Sequence, residues 1–249
     1  MIFTDNDLAA AVHQRSGFCL HYQPIINLNS REVSGFEALI RWHHPQFGLI
    51  PPDRFIPMAE QSGLIRPLGE WIIQEVCRQL LRQPGYAIAT NVSPVQFSDT
   101  NFVDTLLEYL HRQQCDIRNI EVEITESVLL SDIENIRNKI KTLRSAGIAV
   151  VLDDFGAGYT SVHYLYQYEF DKVKIDKSLI MHLGENRKNR IVVGYLIDTL
   201  HEMGIKVTAE GVETAAQMHI LGELECDSIQ GFFVSRPLTI DQLDRFISG

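Results

Sequence analysis

Short strand-like runs, recurring at intervals that leave room for a helix, constrain this chain more than any other feature. Eight stretches rich in aliphatic and β-branched residues stand near positions 20–26, 33–40, 87–92, 120–124, 149–152, 172–175, 206–209 and 227–230. Their lengths suit strands rather than helices. Between most of them lie segments with apolar residues at helical spacing. Residues 68–81 align Leu68, Trp71, Ile72 and Val76, and 103–111 behave likewise. Residues 133–146 are closed by Gly147 and 191–203 by Gly204, and a glycine just past the last periodic position is a helix stop.

Alternation of this kind predicts an α/β fold with a parallel sheet, and eight repeats predict a closed TIM-like (β/α)8 barrel. An open doubly wound sheet is the competing arrangement. The first two runs are too close for a crossover helix, so residues 27–31 read as a hairpin turn and the first strand as antiparallel. A helix over 5–14 precedes it, expected to pack outside or beneath the barrel. A length of 249 residues suits one such barrel. The chain 1–249 is therefore expected to be a single domain, with 1–16 as an N-terminal helix leading into it.

Composition narrows the function. A formal net charge of −10 with no basic cluster argues against binding a nucleic-acid polymer. If the substrate is an anion, bound cations must attract it. Four scattered cysteines without a C-x-x-C pair give neither a zinc cage nor a disulfide framework, and suit a reducing cytoplasm. No apolar run reaches membrane-spanning length, and Asp5 and Asp7 near the start do not fit a signal peptide. A cytoplasmic location is expected for this domain, with a longer, membrane-anchored parent protein left open.

Polar residues collect where the strands end: Gln23, Glu37 with Arg41, Asn91, Glu123, Asp153 with Asp154, Lys174 with Asp176, Glu210, and Gln230. In a barrel these positions converge on one rim, where barrel active sites are built. A lone strand-end Asn or Asp is more often a cap, and a lone Glu is more often solvated. Polar groups at every strand end, most of them acidic, are better explained by cations between them, since like charges so close raise one another's pKa values. Carboxylate and amide oxygens suit Mg²⁺ or Mn²⁺ rather than zinc. None of the nine histidines falls in the set, and His43 with His44 reads as a solvated or packing pair in a loop after Trp42. Two short motifs lead nowhere. Gly156-Ala157-Gly158 lacks the third glycine of a dinucleotide loop, where Ser161 stands, and Asp154-Phe155-Gly156 lacks the rest of a kinase. Those glycines read instead as a mobile loop.

The strand-end residues fall in ordered motifs. Glu37-Ala38-Leu39 is preceded by Tyr22-Gln23-Pro24-Ile25 and followed by PDRFIPMAE at 52–60. Then come Asn91-Val92-Ser93, Glu123-Ile124-Thr125-Glu126, Asp153-Asp154-Phe155-Gly156, Lys174-Ile175-Asp176, Ala209-Glu210-Gly211-Val212-Glu213 and Gln230-Gly231-Phe232. In this order, over about residues 8–246, the chain resembles the EAL-domain family of cyclic di-GMP phosphodiesterases. The resemblance implies a barrel with an antiparallel first strand, cyclic di-GMP as substrate and linear pGpG as product. It implies two Mg²⁺ or Mn²⁺ ions, with Ca²⁺ inhibitory. Glu37, Asn91, Glu123 and Asp153 would hold one ion; Asp153, Asp154 and Glu210 would hold the other. Lys174 would contact a water held by the metals, and Gln230 would support the reaction centre. Gln23, Arg41, Leu39 and Asp176 would face the substrate. Glu126 and Glu213 would anchor the loop over 153–162. The sequence departs from the family pattern only at Ala157, Thr160 and Val162, none of them a ligand.

The resemblance further implies a homodimer, with Tyr159, Tyr164, Tyr166 and Tyr168 offering contact surface or else packing in the helical shell. It also implies a sensor or diguanylate-cyclase domain in a longer parent protein. Two other functions fit the residues. One is a catalytically silent cyclic di-GMP receptor acting through a protein partner. The other is a barrel using Lys174 as a Schiff base or proton-abstracting base beside carboxylate-bound Mg²⁺.

Overall fold

The computed structural model describes residues 3–130, 132–157, 162–185 and 187–248. Nine strands form one sheet: β1 (Phe18–Asn27), β2 (Val33–His44), β3 (Gly48–Ile50), β4 (Ala87–Asn91), β5 (Ile120–Thr125), β6 (Ala149–Phe155), β7 (Lys172–Ile175), β8 (Lys206–Ala209) and β9 (Ser228–Ile229). Eight of them close into a barrel in the order β1-β9-β8-β7-β6-β5-β4-β2, with β2 returning to β1. Strand β1 runs antiparallel to both neighbours, whereas β2 and β4 to β9 are parallel in succession. The expected hairpin start is present. Its turn is fixed by Asn27, whose side chain accepts from the backbone N–H groups of Asn29 and Ser30.

The helices among the described residues are α1 (Asp5–Gln14), α2 (Pro52–Ser62), α3 (Ile65–Arg82), α4 (Pro94–Ser98), α5 (Phe102–Gln113), α6 (Ile133–Ser145), α7 (Val162–Gln167), α8 (Lys177–Ile180), α9 (Arg187–Glu202), α10 (Ala215–Glu223) and α11 (Ile240–Ser248). Helix α1 opens with a capping box between Thr4 and Asp7 and buries Leu8, Ala11 and Val12 outside the barrel, against α2. The parallel strands are buried on both faces, as in Val150, Val151 and Leu152 of β6, because the shell covers their outer side.

One strand differs from the sequence expectation. Strand β2 does not stop near residue 40. It continues through His43 and His44, because Phe18 on β1 and Gly48–Ile50 of β3 supply antiparallel partners beyond the barrel wall. His44 is therefore not in a loop, and its ring packs against Trp42 and Phe47. The segment after β3 is helical from Pro52, since proline in the first turn gives up an N–H that has no helical partner anyway.

Candidate metal centre and substrate face

Parallel pairing brings the strand ends into one layer. Glu37 of β2, Asn91 of β4, Glu123 of β5 and Lys174 of β7 stand in or at the ends of their strands, and Glu210 directly follows β8. The Lys174 ammonium sits in the middle. Its Nζ lies 3.2 Å from Glu37 Oε2, 3.1 Å from Glu123 Oε1, 3.2 Å from Asp153 Oδ1 and 2.7 Å from Glu210 Oε1. Asn91 donates to Glu37 Oε1 at 2.7 Å, and Gln230 donates to Glu37 Oε2 at 2.6 Å and to Gln23 Oε1 at 3.1 Å. Gln23 in turn donates to the carbonyl of Ser235 at 3.1 Å.

Asp153 and Asp154 are consecutive, and ordinary strand alternation would send them to opposite faces. The pairing of β6 with β7 slips between Leu152 and Phe155, and Asp154 takes a left-handed conformation with φ 57°. This bulge lets both carboxylates approach Glu210. Asp is one of the few residues that tolerate that backbone conformation.

Two overlapping acidic groups result. Glu37, Glu123 and Asp153 are all buried; in the second group Asp153 is buried, Asp154 exposed and Glu210 between the two, and in each group the ligand oxygens lie within 4.8 Å of one another. Oε2 of Glu123 is buried without a hydrogen-bond partner, and Oε1 of Glu123 and Oδ1 of Asp153 are buried with only the shared Lys174 ammonium beside them. One ammonium has three protons and cannot satisfy four surrounding carboxylates. These orphaned oxygens, with no sulfur or imidazole among them, fit hard divalent cations.

The electrostatics agree. Burial works against the Lys174 charge, yet Glu123, Glu210, Glu37 and Asp153 together outweigh it and hold the ammonium well above the ordinary lysine range. Burial also pushes Glu37 upward, but Lys174, Gln230 and Asn91 outweigh it and keep that carboxylate ionised. Glu123 goes well up through burial and the neighbouring carboxylates. Glu210 is pushed up to about 8 by burial and by Asp153 and Glu37, against the pull of Lys174. Asp154 is pushed up to about 6 by burial, Asp153 and Asp176. Without cations the cluster therefore retains protons that divalent ions would displace.

The remaining residues are less alike. Leu39 and Arg41 continue the Glu37 face of β2 outward, since residues two apart share a face. Arg41 donates to the carbonyl of Ile40 at 2.8 Å. Asp176 caps α8, accepting from the Ser178 N–H at 2.9 Å, and is buried. Glu126 Oε1 accepts the Gly156 N–H at 3.1 Å, which ties the start of the following loop to the end of β5. Glu213 is exposed before α10; its own N–H donates to Gln217, and among the described residues its carboxylate takes no hydrogen bond. Tyr166 is 81% exposed and Tyr168 is buried at 3%, so the tyrosine run divides between surface and core. Tyr159 and the side chain of Tyr164 lie outside the described residues.

Ser93, last residue of the Asn91-Val92-Ser93 motif and given no role there, donates its hydroxyl to Glu60 and caps α4 just beyond Asn91. The signal was present in the capping-box pair Ser93 and Gln96.

Residues 5–237 match the model of the EAL domain. The chain is 37% identical over 243 residues to the bifunctional diguanylate cyclase/cyclic di-GMP phosphodiesterase MucR of Pseudomonas aeruginosa, covering 96% of this chain and 35% of that protein. It is 36% identical to the cyclic di-GMP phosphodiesterase NbdA of the same organism, over 92% of this chain and 30% of that one. The chain thus spans about a third of the length of these curated relatives. Among solved structures, the MucR phosphodiesterase in complex with c-di-GMP superposes with a TM-score of 0.89 at 37% identity, covering 96% of this chain and 98% of that one. An EAL domain protein from Listeria monocytogenes superposes with a TM-score of 0.90 at 26% identity, over 100% and 99% of the two chains. The ordered motifs, the closed barrel with its antiparallel first strand and the acidic cluster at its rim find their common explanation here: this chain belongs to the EAL domain family.

Proposed function

We propose that this chain hydrolyses one phosphodiester bond of cyclic di-GMP to give linear pGpG, using two Mg²⁺ or Mn²⁺ ions. The observation that carries the proposal is the convergence of buried, unsatisfied carboxylate oxygens on one lysine at the rim of an EAL barrel. Glu37, Asn91, Glu123 and Asp153 would hold one ion, and Asp153, Asp154 and Glu210 the other. When bound, the ions would supply an acidified water for attack on phosphorus and positive charge for the departing 3′-oxygen.

The chain's own groups have distinct tasks. Lys174 remains an ammonium and can orient the attacking water or donate to the leaving oxygen. Gln230 and Asn91 both donate to Glu37, which fixes that carboxylate in one orientation. Gln23 backs Gln230 and borders the substrate face. Arg41 offers a planar fork for a phosphate once it leaves the Ile40 carbonyl, with Leu39 as its apolar neighbour. Asp176 acts beside the substrate face as cap of α8. Glu126 holds the Gly156 end of the loop that begins at Asp153, and Glu213 serves the same loop when substrate closes it.

The test is chromatography of cyclic di-GMP incubated with the chain and Mg²⁺ or Mn²⁺. Formation of pGpG supports the proposal. Tight nucleotide binding without product would make the chain a receptor instead. A homodimer through the face carrying Tyr166, and a place within a longer signalling protein, complete the proposal. A monomer at every concentration in ultracentrifugation would remove the dimer alone.

A further inference from the structure

A second set of metal-ligating side chains lies apart from the carboxylates. Cys19, His21 and His43 bring one thiol and two imidazoles within 4.8 Å of one another, ligand atom to ligand atom. No spacing motif announces them, because antiparallel pairing assembles them. Cys19 and His21 are two apart on β1 and share a face. The register sets Cys19 opposite Arg41 and His21 opposite Leu39, so His43, two beyond Arg41, joins the same face from β2. The ladder holds there, since the His43 N–H donates to the Gly17 carbonyl at 2.7 Å. All three donors therefore stand on paired strand, the kind of support that fixes a ligand set.

The neighbours leave these donors available. Arg41, which faces Cys19 across the ladder, donates to the carbonyl of Ile40, and among the described residues no hydrogen bond joins it to the thiol. Burial lowers the His21 pKa, with Arg41 and His43 lowering it further, so the ring is neutral and carries a free lone pair at neutral pH. Burial pushes the Cys19 thiol up against a weaker pull from Arg41, so a bound cation would have to displace the thiol proton to solvent, and binding would strengthen as pH rises. Cys19 and His21 are half-buried and His43 is exposed, which gives an ion a way in. One thiolate with two imidazoles is a donor set for Zn²⁺-type ions, not for Mg²⁺.

We propose that Cys19, His21 and His43 form a three-ligand site for a borderline-soft divalent ion of the Zn²⁺ type, with water in the open position. It is distinct from the carboxylate cluster and does not depend on the phosphodiesterase reading.

Co²⁺ is the probe, because a thiolate bound to it gives a near-ultraviolet charge-transfer band that carboxylates cannot give. The full chain is titrated with Co²⁺ in saturating Mg²⁺, which occupies the oxygen sites. The expected result is a band that saturates near one equivalent and is erased by one equivalent of Zn²⁺. Cys19→Ser should abolish it. His43→Gln, at an exposed position that leaves the fold intact, should weaken Co²⁺ affinity by at least about tenfold, the least that even an outer-shell change costs. Cys115→Ser should leave the band unchanged, which separates the site from the buried pair Cys77 and Cys115, whose sulfurs lie 3.2 Å apart. Absence of the band, its survival in Cys19→Ser, or its loss in Cys115→Ser would each overturn the proposal.

Discussion

The two halves of the acidic centre are built differently. Glu37, Glu123 and Asp153 are buried, and each lies on a strand whose neighbours fix its height. Asp154 and Glu210 stand where strands give out, one on a bulge with φ 57° and exposed, the other just past β8 and partly open. The inner half is rigid because moving it would break sheet ladders. The outer half is held by a loop and by side chains such as Glu126. Under the proposed two-metal function the inner half would govern whether a cation binds at all, and the outer half how well it is placed.

Breaking the inner half should cost most. Asp153→Ala, which removes the carboxylate common to both groups, and Glu37→Ala and Asn91→Ala should each lower turnover by at least roughly 10²–10³-fold, the scale of losing one preorganised transition-state contact. Their circular dichroism should stay native, because these groups stand at the rim and not in the apolar core. Wild-type turnover in any one of them would remove that residue from the ligand set.

Loosening the outer half should cost less but still much. Glu126→Ala frees the Gly156 N–H, and disorder in the loop would spread to Asp153 and Asp154 at its root. A misplacement of about 1 Å can cost roughly a hundredfold. We expect kcat to fall on that scale, metal affinity to weaken, and nucleotide affinity to change less. A lowered melting temperature with unchanged turnover would show that Glu126 supports only local stability.

Proton binding sharpens the same contrast by a smaller effect. Asp154 is raised to about 6 and Glu210 to about 8 in the fold, both above the ordinary carboxylate range. Between the ordinary and raised values the folded chain holds protons that the unfolded chain has released, so stability falls as pH rises through that window. Metal-free protein should melt a few degrees lower at pH 8 than at pH 5. Saturating Mn²⁺ should stabilise more at pH 8, where fewer protons compete. A metal-free melting temperature that rises across this window would mean these carboxylates are not so raised.

Much of this was legible in the sequence because strands have a period of two and barrels send their strand ends to one rim. That was enough to gather Glu37, Asn91, Glu123, Lys174 and Glu210. Strict alternation would separate Asp153 from Asp154; their place at one strand end grouped them, the motif resemblance gave each a ligand role, and the bulge that turns both to one side has no local signal beyond the paired aspartates themselves. Strand β2 was expected to end near residue 40, since its continuation depends on partners supplied by Phe18 and by Gly48–Ile50, remote or irregular in sequence. That missed extension also concealed the approach of His43 to Cys19 and His21. His43 read with His44 as a solvated or packing pair in a loop, and cross-strand register groups it instead with Cys19 and His21.

The central claim is that carboxylates crowded around Lys174 are assembled for two catalytic cations. It is tested most directly by measuring bound Mn²⁺ and pGpG formation on one preparation while a chelator is titrated in. The account predicts two Mn²⁺ per chain held by the oxygen cluster, with turnover falling to background as they are removed and returning when Mn²⁺ or Mg²⁺, but not Ca²⁺, is restored. Full turnover in excess chelator, with no metal bound, would contradict it.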